Sequence, residues 1–205
     1  KEINRNRLIA LLSAILLKDK KGVIVTDSVT SDGLTAFIES RGGKHLRYMR
    51  GYKNVINKCK ELNDGGVYSP LAIETSGHAA FAENYFLDDG AYLITKLLIS
   101  LGRGESLTDA IADLPEPAES DEVRISFKDA TDFKAKGAQV IKDIEELASR
   151  DGSMQLAKDS YEGVRVRCGD GWFLLRMSLH DPVMPINFES DAAGGNKLLA
   201  VKLAK

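Results

Sequence analysis

The hydrophobic pattern of the first part of the chain alternates between the period of a helix and that of a strand. Apolar residues recur at helical spacing over residues 6–18, and residues 23–26 form a continuous β-branched run that is typical of a strand buried on both faces. The alternation repeats, with helices predicted around residues 34–38 and 55–62 and strands predicted at residues 45–49 and 71–73. This order indicates a mostly parallel sheet with helices on its faces.

The end of this first region is predicted to be helical. Asp88 or Asp89 could cap a helix, because either carboxylate can accept a hydrogen bond from the first turn. We expect the buried face of this helix to consist of four apolar residues, Ile94, Leu97, Leu98 and Leu101. A shorter helix is predicted over residues 106–114.

The second part of the chain has a different pattern. Residues 114–121 hold two prolines and three acidic residues with little apolar content, which is typical of a linker. Beyond them the pattern predicts strands at residues 123–127, 164–168, 172–175 and 184–188, helices at residues 133–150 and 197–205, and a tight hairpin at residues 169–171. We therefore predict an α/β domain over residues 1–114 and an α+β domain with an antiparallel sheet over residues 115–205.

Two details of the second domain can be predicted from side-chain chemistry. The helix over residues 133–150 is expected to turn four apolar residues inward, namely Val140, Ile141, Ile144 and Leu147. Pro185 cannot donate a hydrogen bond to a neighbouring strand, so its strand is predicted to lie at an edge of the sheet or to be bulged.

Composition narrows the classes of function. The chain has 205 residues, 43% hydrophobic and 28% charged, with a net charge of −2, so neither nucleic acid nor an anionic membrane is expected as a main partner. The apolar stretch at residues 8–17 is too short to span a bilayer. Cys59 and Cys168 show no metal-site spacing, which favours reduced thiols in a cytoplasmic protein.

One polar turn follows the predicted strand at residues 71–73. It contains Glu74, Ser76, Gly77 and His78, and polar groups at the carboxyl end of a strand in an open α/β sheet commonly bind ligands. A carboxylate can accept two sugar hydroxyls, and a glycine lets the backbone approach the ligand. The alternative is a surface turn without function.

A second polar loop contains Arg176, Ser178 and His180. An arginine fork matches phosphate oxygens in a bidentate manner, and a serine hydroxyl adds a neutral donor. Arg176 could instead form an ion pair with Asp181, and His180 could have no role. We expect this loop and the turn at Glu74 to form two walls of one sugar-phosphate site.

The chain resembles the α-D-phosphohexomutase family, which includes phosphoglucomutases and phosphomannomutases. The resemblance covers nearly the whole chain and rests on a Glu-x-Ser-Gly-His turn, an Asp-Asp-Gly helix start and an Arg-x-Ser loop ending in proline, at residues 74–78, 88–90 and 176–182. It implies that residues 1–114 are the third domain of the family and bind sugar through Glu74, Ser76 and His78. Residues 115–205 would be the fourth domain and would bind phosphate.

The chain departs from the family pattern at several positions. Leu179 and His180 stand where the family usually has Asn and Thr, Val29 replaces a frequent lysine, and Tyr52 replaces a site histidine. Arg50 or Lys53 could supply the positive charge lost at Val29. Lys53 could equally be a solvated lysine at a helix start.

The resemblance also implies what lies elsewhere. The phosphorylated serine loop and the Mg²⁺ loop of the family do not occur in these residues, so we expect no catalytic residue and no metal ligand in this chain, and no turnover by the chain alone. The expected partners are the missing N-terminal domains and glucose or mannose 1- and 6-phosphates. A non-catalytic sugar-phosphate-binding or regulatory module stays open as an alternative. A Rossmann-like domain is weaker, because no Gly-x-Gly-x-x-Gly supports it.

Overall fold

The chain divides into two compact units, Lys1–Pro115 and Glu116–Lys205. The structure is a computed structural model that describes residues 2–178 and 181–204. The first unit contains four helices and four strands: α1 Arg5–Asp19, β1 Val23–Asp27, α2 Asp32–Ser40, β2 Lys44–Tyr48, α3 Tyr52–Asp64, β3 Leu71–Ile73, β4 Ala79–Phe81 and α4 Gly90–Gly102. Two short 3₁₀ helices lie at Ala82–Asn84 and Asp109–Ile111.

The sheet of the first unit has the order β2-β1-β3-β4. Strands β2 and β3 run parallel to β1, and β4 runs antiparallel to β3. The continuous apolar runs of β1 and β3 are buried because helices cover both faces. On one face α1, α2 and α4 pack through residues such as Leu12, Phe37 and Leu93. On the other face α3 packs through Val55 and Cys59.

The second unit contains a five-stranded antiparallel sheet. Its elements are β5 Glu119–Ser126, α5 Phe133–Arg150, β6 Gln155–Leu156, β7 Val164–Cys168, β8 Gly171–Leu175, β9 Val183–Ser190 and α6 Gly195–Leu203. The strand order is β5-β9-β8-β7-β6. The predicted fold class, a mostly parallel α/β sheet followed by an α+β unit with an antiparallel sheet, is therefore confirmed.

The predicted buried face of α4 is correct at Leu97, which packs against the core, but is wrong at its other three positions. Leu93 and Ser100 are buried, whereas Ile94, Leu98 and Leu101 are 57%, 60% and 49% exposed. The buried positions and the predicted positions both have helical spacing. The buried set contains a serine, which a pattern of hydrophobic residues does not select. Ser100 Oγ donates to the Glu105 carboxylate, so burial leaves its hydroxyl satisfied.

Two further predictions about the first unit need correction. The helix predicted over residues 106–114 is reduced to the single 3₁₀ turn Asp109–Ile111. The linker predicted over residues 114–121 is shorter, because β5 begins at Glu119. The Glu119 carboxylate accepts hydrogen bonds from the backbone of Gly194 and Asn196 at the start of α6, which holds this acidic segment against unit 2.

Pro185 does not lie in an edge strand. It sits in β9, between β5 and β8, opposite Arg124. Its carbonyl accepts from the Arg176 N–H at 3.1 Å, so its nitrogen also faces that side of the strand. Strand β8 has already ended there, at Leu175, and the missing donor therefore costs the sheet no regular ladder bond.

The predicted inner face of α5 is confirmed at three of its four positions, since Ile144 is buried and Ile141 and Leu147 pack against the core. Val140 is the exception and is 37% exposed. Gly137 of α5 is buried, and an added Cβ there would overlap Met177 Sδ. A small residue at the contact, rather than another large apolar one, sets how closely α5 packs.

Among the described residues, none of the helices combines the length and apolar character that a membrane span requires.

Candidate functional site

The Glu74 turn lies at the carboxyl edge of the parallel strands. The chain goes from β1 through α2 to β2 on one side, and then through α3 to β3 on the other side of β1. The ends of β1 and β3 thus flank a topological switch point, the usual ligand position in open α/β sheets. Glu74 directly follows β3, and the loop that carries Arg50 follows β2.

The turn itself is held by backbone hydrogen bonds. The Glu74 N–H donates to the His78 carbonyl at 3.0 Å, and the Gly77 N–H donates to the Glu74 carbonyl at 2.9 Å. Gly77 has φ +97°, a conformation that strongly favours glycine. The turn consequently presents Ser76 and His78 as exposed side chains while Glu74 is buried.

The carboxylate of Glu74 has defined partners. Its Oε1 accepts the backbone N–H of Gly51 at 2.7 Å, and its Oε2 accepts the Ser76 hydroxyl at 3.5 Å. The bond to Gly51 connects the end of β3 to the start of α3. These bonds fix the carboxylate while leaving further lone pairs for ligand hydroxyls.

His78 contacts three groups of the same unit. Its Nδ1 lies 3.0 Å from Ser76 Oγ, its Nε2 lies 3.9 Å from Asp88 Oδ2, and its ring stacks on Tyr52 with centroids 5.3 Å apart. The structure thus brings Glu74, Ser76, His78 and Tyr52 together. A hydroxyl and an imidazole beside a carboxylate can hydrogen-bond the hydroxyls of a polar ligand.

The two aspartates of the Asp-Asp-Gly segment have separate roles. Asp88 Oδ1 accepts the Ala79 N–H at 3.1 Å, which ties this segment to β4. Asp89 is the N-cap of α4 and accepts the Tyr92 N–H at 3.0 Å. That backbone hydrogen bond holds the pKa of Asp89 below its usual value. The capping residue left open between the two is thus Asp89.

Arg50 and Lys53 lie on either side of Gly51 and Tyr52. Lys53 Nζ is 6.0 Å from the centroid of the Tyr52 ring. Arg50 Nε is 3.7 Å from Asp27 Oδ2. Of the two cations proposed to replace the charge lost at Val29, Arg50 is the one that contacts a buried carboxylate at the strand ends.

Asp27 is a site-edge residue that the sequence reasoning missed. It ends β1 with a side chain that is 0% exposed, and its Oδ2 accepts the Thr75 hydroxyl at 2.7 Å. Burial raises the pKa of Asp27 to about 6, although the Thr75 hydrogen bond and the Arg50 charge oppose this shift. The available signal was an acidic residue directly after a β-branched run that reads as a buried strand.

The Arg176 loop is built in unit 2. After the Arg176 N–H bond to Pro185, the Ser178 N–H donates to the Val183 carbonyl at 3.0 Å and the Asp181 N–H donates to Ser178 Oγ at 3.2 Å. Met177 packs against the unit 2 core, which anchors the loop between its two polar side chains. Leu179 and His180 lie outside the described residues, so the role predicted for His180 stays a prediction.

The charge of Arg176 acts on Glu122 of β5. Burial alone would raise the pKa of Glu122, but hydrogen bonds from Arg124 and Asn187 and the charges of both arginines hold it below its usual value. The Arg176 backbone is also closely packed, because an added Cβ on Gly163 would lie 2.8 Å from Arg176 Cα. The guanidinium thus starts from a fixed backbone position.

Glu74 and Arg176 belong to different units, so the expectation that their loops line one site stays a prediction. Among residues 2–178 and 181–204, the structure contains no group of three or more His, Cys, Asp or Glu side chains that could hold a metal ion.

Comparisons with known proteins extend this description. The family described as phosphoglucomutase/phosphomannomutase, alpha/beta/alpha domain III, matches residues 4–118. Phosphomannomutase/phosphoglucomutase of Pseudomonas putida is 30% identical over 191 residues, which cover 91% of this chain and 38% of that protein. A phosphoglucomutase/phosphomannomutase family protein of Burkholderia thailandensis has a structure that matches with a TM-score of 0.78 at 25% identity, covering 100% of this chain and 41% of that one.

A more distant structure shares the fold. N-acetylphosphoglucosamine mutase of Aspergillus fumigatus, solved in complex with GlcNAc-6P and magnesium, matches with a TM-score of 0.65 at 14% identity.

The chain therefore belongs to the phosphoglucomutase/phosphomannomutase family, a family of mutases. Within that family, residues 4–118 match the third domain, and the chain spans about 38% of the length of the Pseudomonas relative. The predicted resemblance is confirmed.

Proposed function

We propose that this chain supplies the sugar- and phosphate-binding loops of a phosphohexomutase that interconverts hexose 1-phosphate and hexose 6-phosphate. Family membership supports the class of reaction. The observation that carries the proposal is the Glu74 turn, in which a carboxylate held by the Gly51 N–H lies beside Ser76 and His78. A fixed acceptor next to a hydroxyl and an imidazole suits the hydroxyl groups of a sugar.

Each loop is assigned one part of the ligand. Glu74 and Ser76 would bind the 3- and 4-hydroxyls of the hexose, with His78 adding a further contact. Arg176 and Ser178, with His180, would bind the phosphate that is not reacting, because a guanidinium and hydroxyl donors match phosphate oxygens. Arg50, Tyr52 and Lys53 would shape the rim beside the sugar.

In a mutase, such contacts position the substrate rather than react with it. Phosphoryl transfer depends mainly on positioning and on stabilisation of charge, and a hexose that must be phosphorylated at either end needs contacts that tolerate both orientations. The 3- and 4-hydroxyls suit this role because they stay alike when the sugar turns around. The serine that carries the phosphoryl group and the Mg²⁺ ion would belong to other domains of the full-length enzyme, in which magnesium would stabilise phosphoryl charge.

One observation favours a second candidate, a non-catalytic sugar-phosphate-binding module. Tyr52 covers one face of His78, and it stands where the resemblance implies a histidine. Such a site could bind a hexose phosphate without turning it over. The cytoplasmic location expected from the sequence stays a prediction for either candidate.

Backbone NMR of the chain tests the proposed ligand directly. Titration with glucose 1-phosphate is expected to shift the amides of residues 74–78 and of residues 176–178. Titration with inorganic phosphate is expected to shift only the second set. If the shifted amides lie outside both of these loops, the proposal is contradicted.

A further inference from the structure

Asp27 is a buried acid to which the proposed reaction assigns no role. Its Oδ2 accepts the Thr75 hydroxyl at 2.7 Å and lies 3.7 Å from Arg50 Nε. Its Oδ1 is also buried and has no hydrogen-bond partner among the residues that the structure describes. Keeping this carboxylate ionised costs free energy, because burial removes its hydration and the contacts with Thr75 and Arg50 replace only part of that hydration.

The fold does not require an acid at this position. An asparagine would have the same shape, and its carbonyl oxygen could still accept the Thr75 hydroxyl. What only the carboxylate provides is a negative charge facing Arg50. A costly buried charge beside a ligand site points to function rather than to stability.

Asp27 contacts residues next to both partners of the hydrogen bond that orients Glu74. Arg50 directly precedes Gly51, whose N–H donates to Glu74 Oε1 at 2.7 Å. Thr75 directly follows Glu74. Asp27 therefore contacts the neighbour of each partner in the Gly51–Glu74 hydrogen bond and links the ends of β1, β2 and β3.

We propose that Asp27 is a positioning residue whose ionised carboxylate holds Arg50 and Thr75 so that Glu74 keeps its sugar-binding orientation. This inference rests on the proposed function for its ligand, but the positioning itself needs no ligand. When the carboxyl is protonated, Arg50 loses the negative charge of Asp27 and the loop that carries Gly51 is less firmly held. The orientation of Glu74 is then pH-dependent.

Other charged groups lie near Asp27 and could contribute to a pH-dependent change in this part of the structure. Arg50 on the loop after β2 and Glu74 at the end of β3 act on it with opposite signs. Arg47 of β2 and Asp32 of α2 pair with each other at 2.9 Å. His78 of the same turn is a second ionisable side chain, and its ring stacks on Tyr52 next to Gly51, so a variant at Asp27 is needed to separate their effects.

The test follows the Gly51 amide by ¹⁵N–¹H NMR from pH 5 to pH 8 in the chain without ligand. The wild-type chain is expected to show a transition near pH 6, in the range given by the pKa of Asp27, and Asp27→Asn is expected to lose it. Asp113→Asn is the matched control, because Asp113 also pairs with an arginine, Arg41, at the far end of α2. A Gly51 transition that persists in Asp27→Asn, or no transition in the wild type, would overturn the inference.

Two further variants protect the test from a simple loss of folding. Thr75→Val removes the hydroxyl that Asp27 accepts and is expected to shift the Gly51 amide, whereas Thr75→Ser retains the hydroxyl and restores the wild-type position. At pH 7.5, Asp27→Asn is expected to bind glucose 1-phosphate about fivefold more weakly, because without the charge facing Arg50 the Gly51–Glu74 hydrogen bond that orients Glu74 is weakened by about the worth of one hydrogen bond. If Asp27→Asn binds glucose 1-phosphate as tightly as the wild type while Glu74→Gln loses its selectivity for the sugar, the role of Asp27 is rejected. The proposed function is then still supported.

Discussion

The ring of Tyr52 stacks on the ring of His78, with planes 19° apart and centroids 5.3 Å apart. Tyr52 begins α3 and His78 ends the Glu74 turn, so the stack joins two segments that meet at the strand ends. Tyr52 is 40% exposed, and its contribution to the core is therefore small. Its main effect should be to hold the imidazole beside Ser76.

Replacement of Tyr52 by alanine tests this role. Tyr52→Ala is expected to weaken glucose 1-phosphate binding by about 0.5–1.5 kcal/mol, the range for an aromatic pair, because His78 loses its stacking partner. Tyr52→Phe keeps the ring and should bind as the wild type does. Calorimetry on both variants checks the prediction, and equal affinities of Tyr52→Ala and the wild type would show that the stack has no part in binding.

The stability of the chain should depend on pH through Asp27. The pKa of this carboxyl is raised from 3.8 to about 6, so the folded chain holds a proton that the unfolded chain has released between these values. The contribution of Asp27 is fully present below pH 4 and is lost as the pH rises through 6. A tenfold change in the acid dissociation constant on folding corresponds to about 1.4 kcal/mol of stability.

Asp27→Asn removes this dependence. Relative to the wild type, the variant is expected to gain roughly 1–3 kcal/mol in free energy of unfolding between pH 4 and pH 7.5, measured by urea denaturation at both values. Other titrating groups cancel in the comparison. A difference between the two proteins that is the same at pH 4 and pH 7.5 would mean that the Asp27 pKa is not raised.

Arg176 is predicted to bind phosphate. Arg176→Ala should weaken binding of both inorganic phosphate and glucose 1-phosphate by about 1.5–3 kcal/mol, the range for hydrogen bonds to charged groups. Arg124→Ala is the control, because Arg124 pairs with Glu122, the carboxylate on which the Arg176 charge also acts, but is 65% exposed on β5. Equal losses in the two variants would indicate a general effect of charge rather than a phosphate contact.

The chain by itself is predicted to have no mutase activity. The described residues contain no metal cluster, and the sequence lacks the serine loop that the resemblance implies. A coupled assay with glucose 1-phosphate, glucose 1,6-bisphosphate and Mg²⁺ should therefore give no glucose 6-phosphate above background. Turnover that survives further purification and disappears in Glu74→Gln would contradict this prediction.

The parts of the fold that follow from local pattern were predicted well. Strand β7 and helix α5 have the predicted bounds, because a β-branched run and a long apolar period each point to one structure. The three residues of β4 were missed, since they directly follow the polar turn and are too short to show a period. The face of α4 was misplaced because two neighbouring stripes have the same spacing.

The candidate site shows the same division. The grouping of Glu74, Ser76 and His78 in one turn could be predicted from their order along the chain and their place after a strand, while their binding of sugar stays a prediction. The burial of Asp27, its contact with Arg50 and the stacking of Tyr52 on His78 arise only when β1, β2 and β3 are brought together. Spacing in the sequence carries no signal for such contacts, because their partners lie on different crossover connections.

The most direct test of the account is calorimetric titration of Glu74→Gln with glucose 1-phosphate and with inorganic phosphate. Glutamine keeps the size of the side chain but replaces one acceptor oxygen by a donor, so contacts to sugar hydroxyls should weaken while phosphate contacts remain. We expect affinity for glucose 1-phosphate to fall by about 1.5–3 kcal/mol and affinity for inorganic phosphate to stay unchanged. An equal loss for both ligands, or no loss for either, would contradict the assignment of this turn to the sugar.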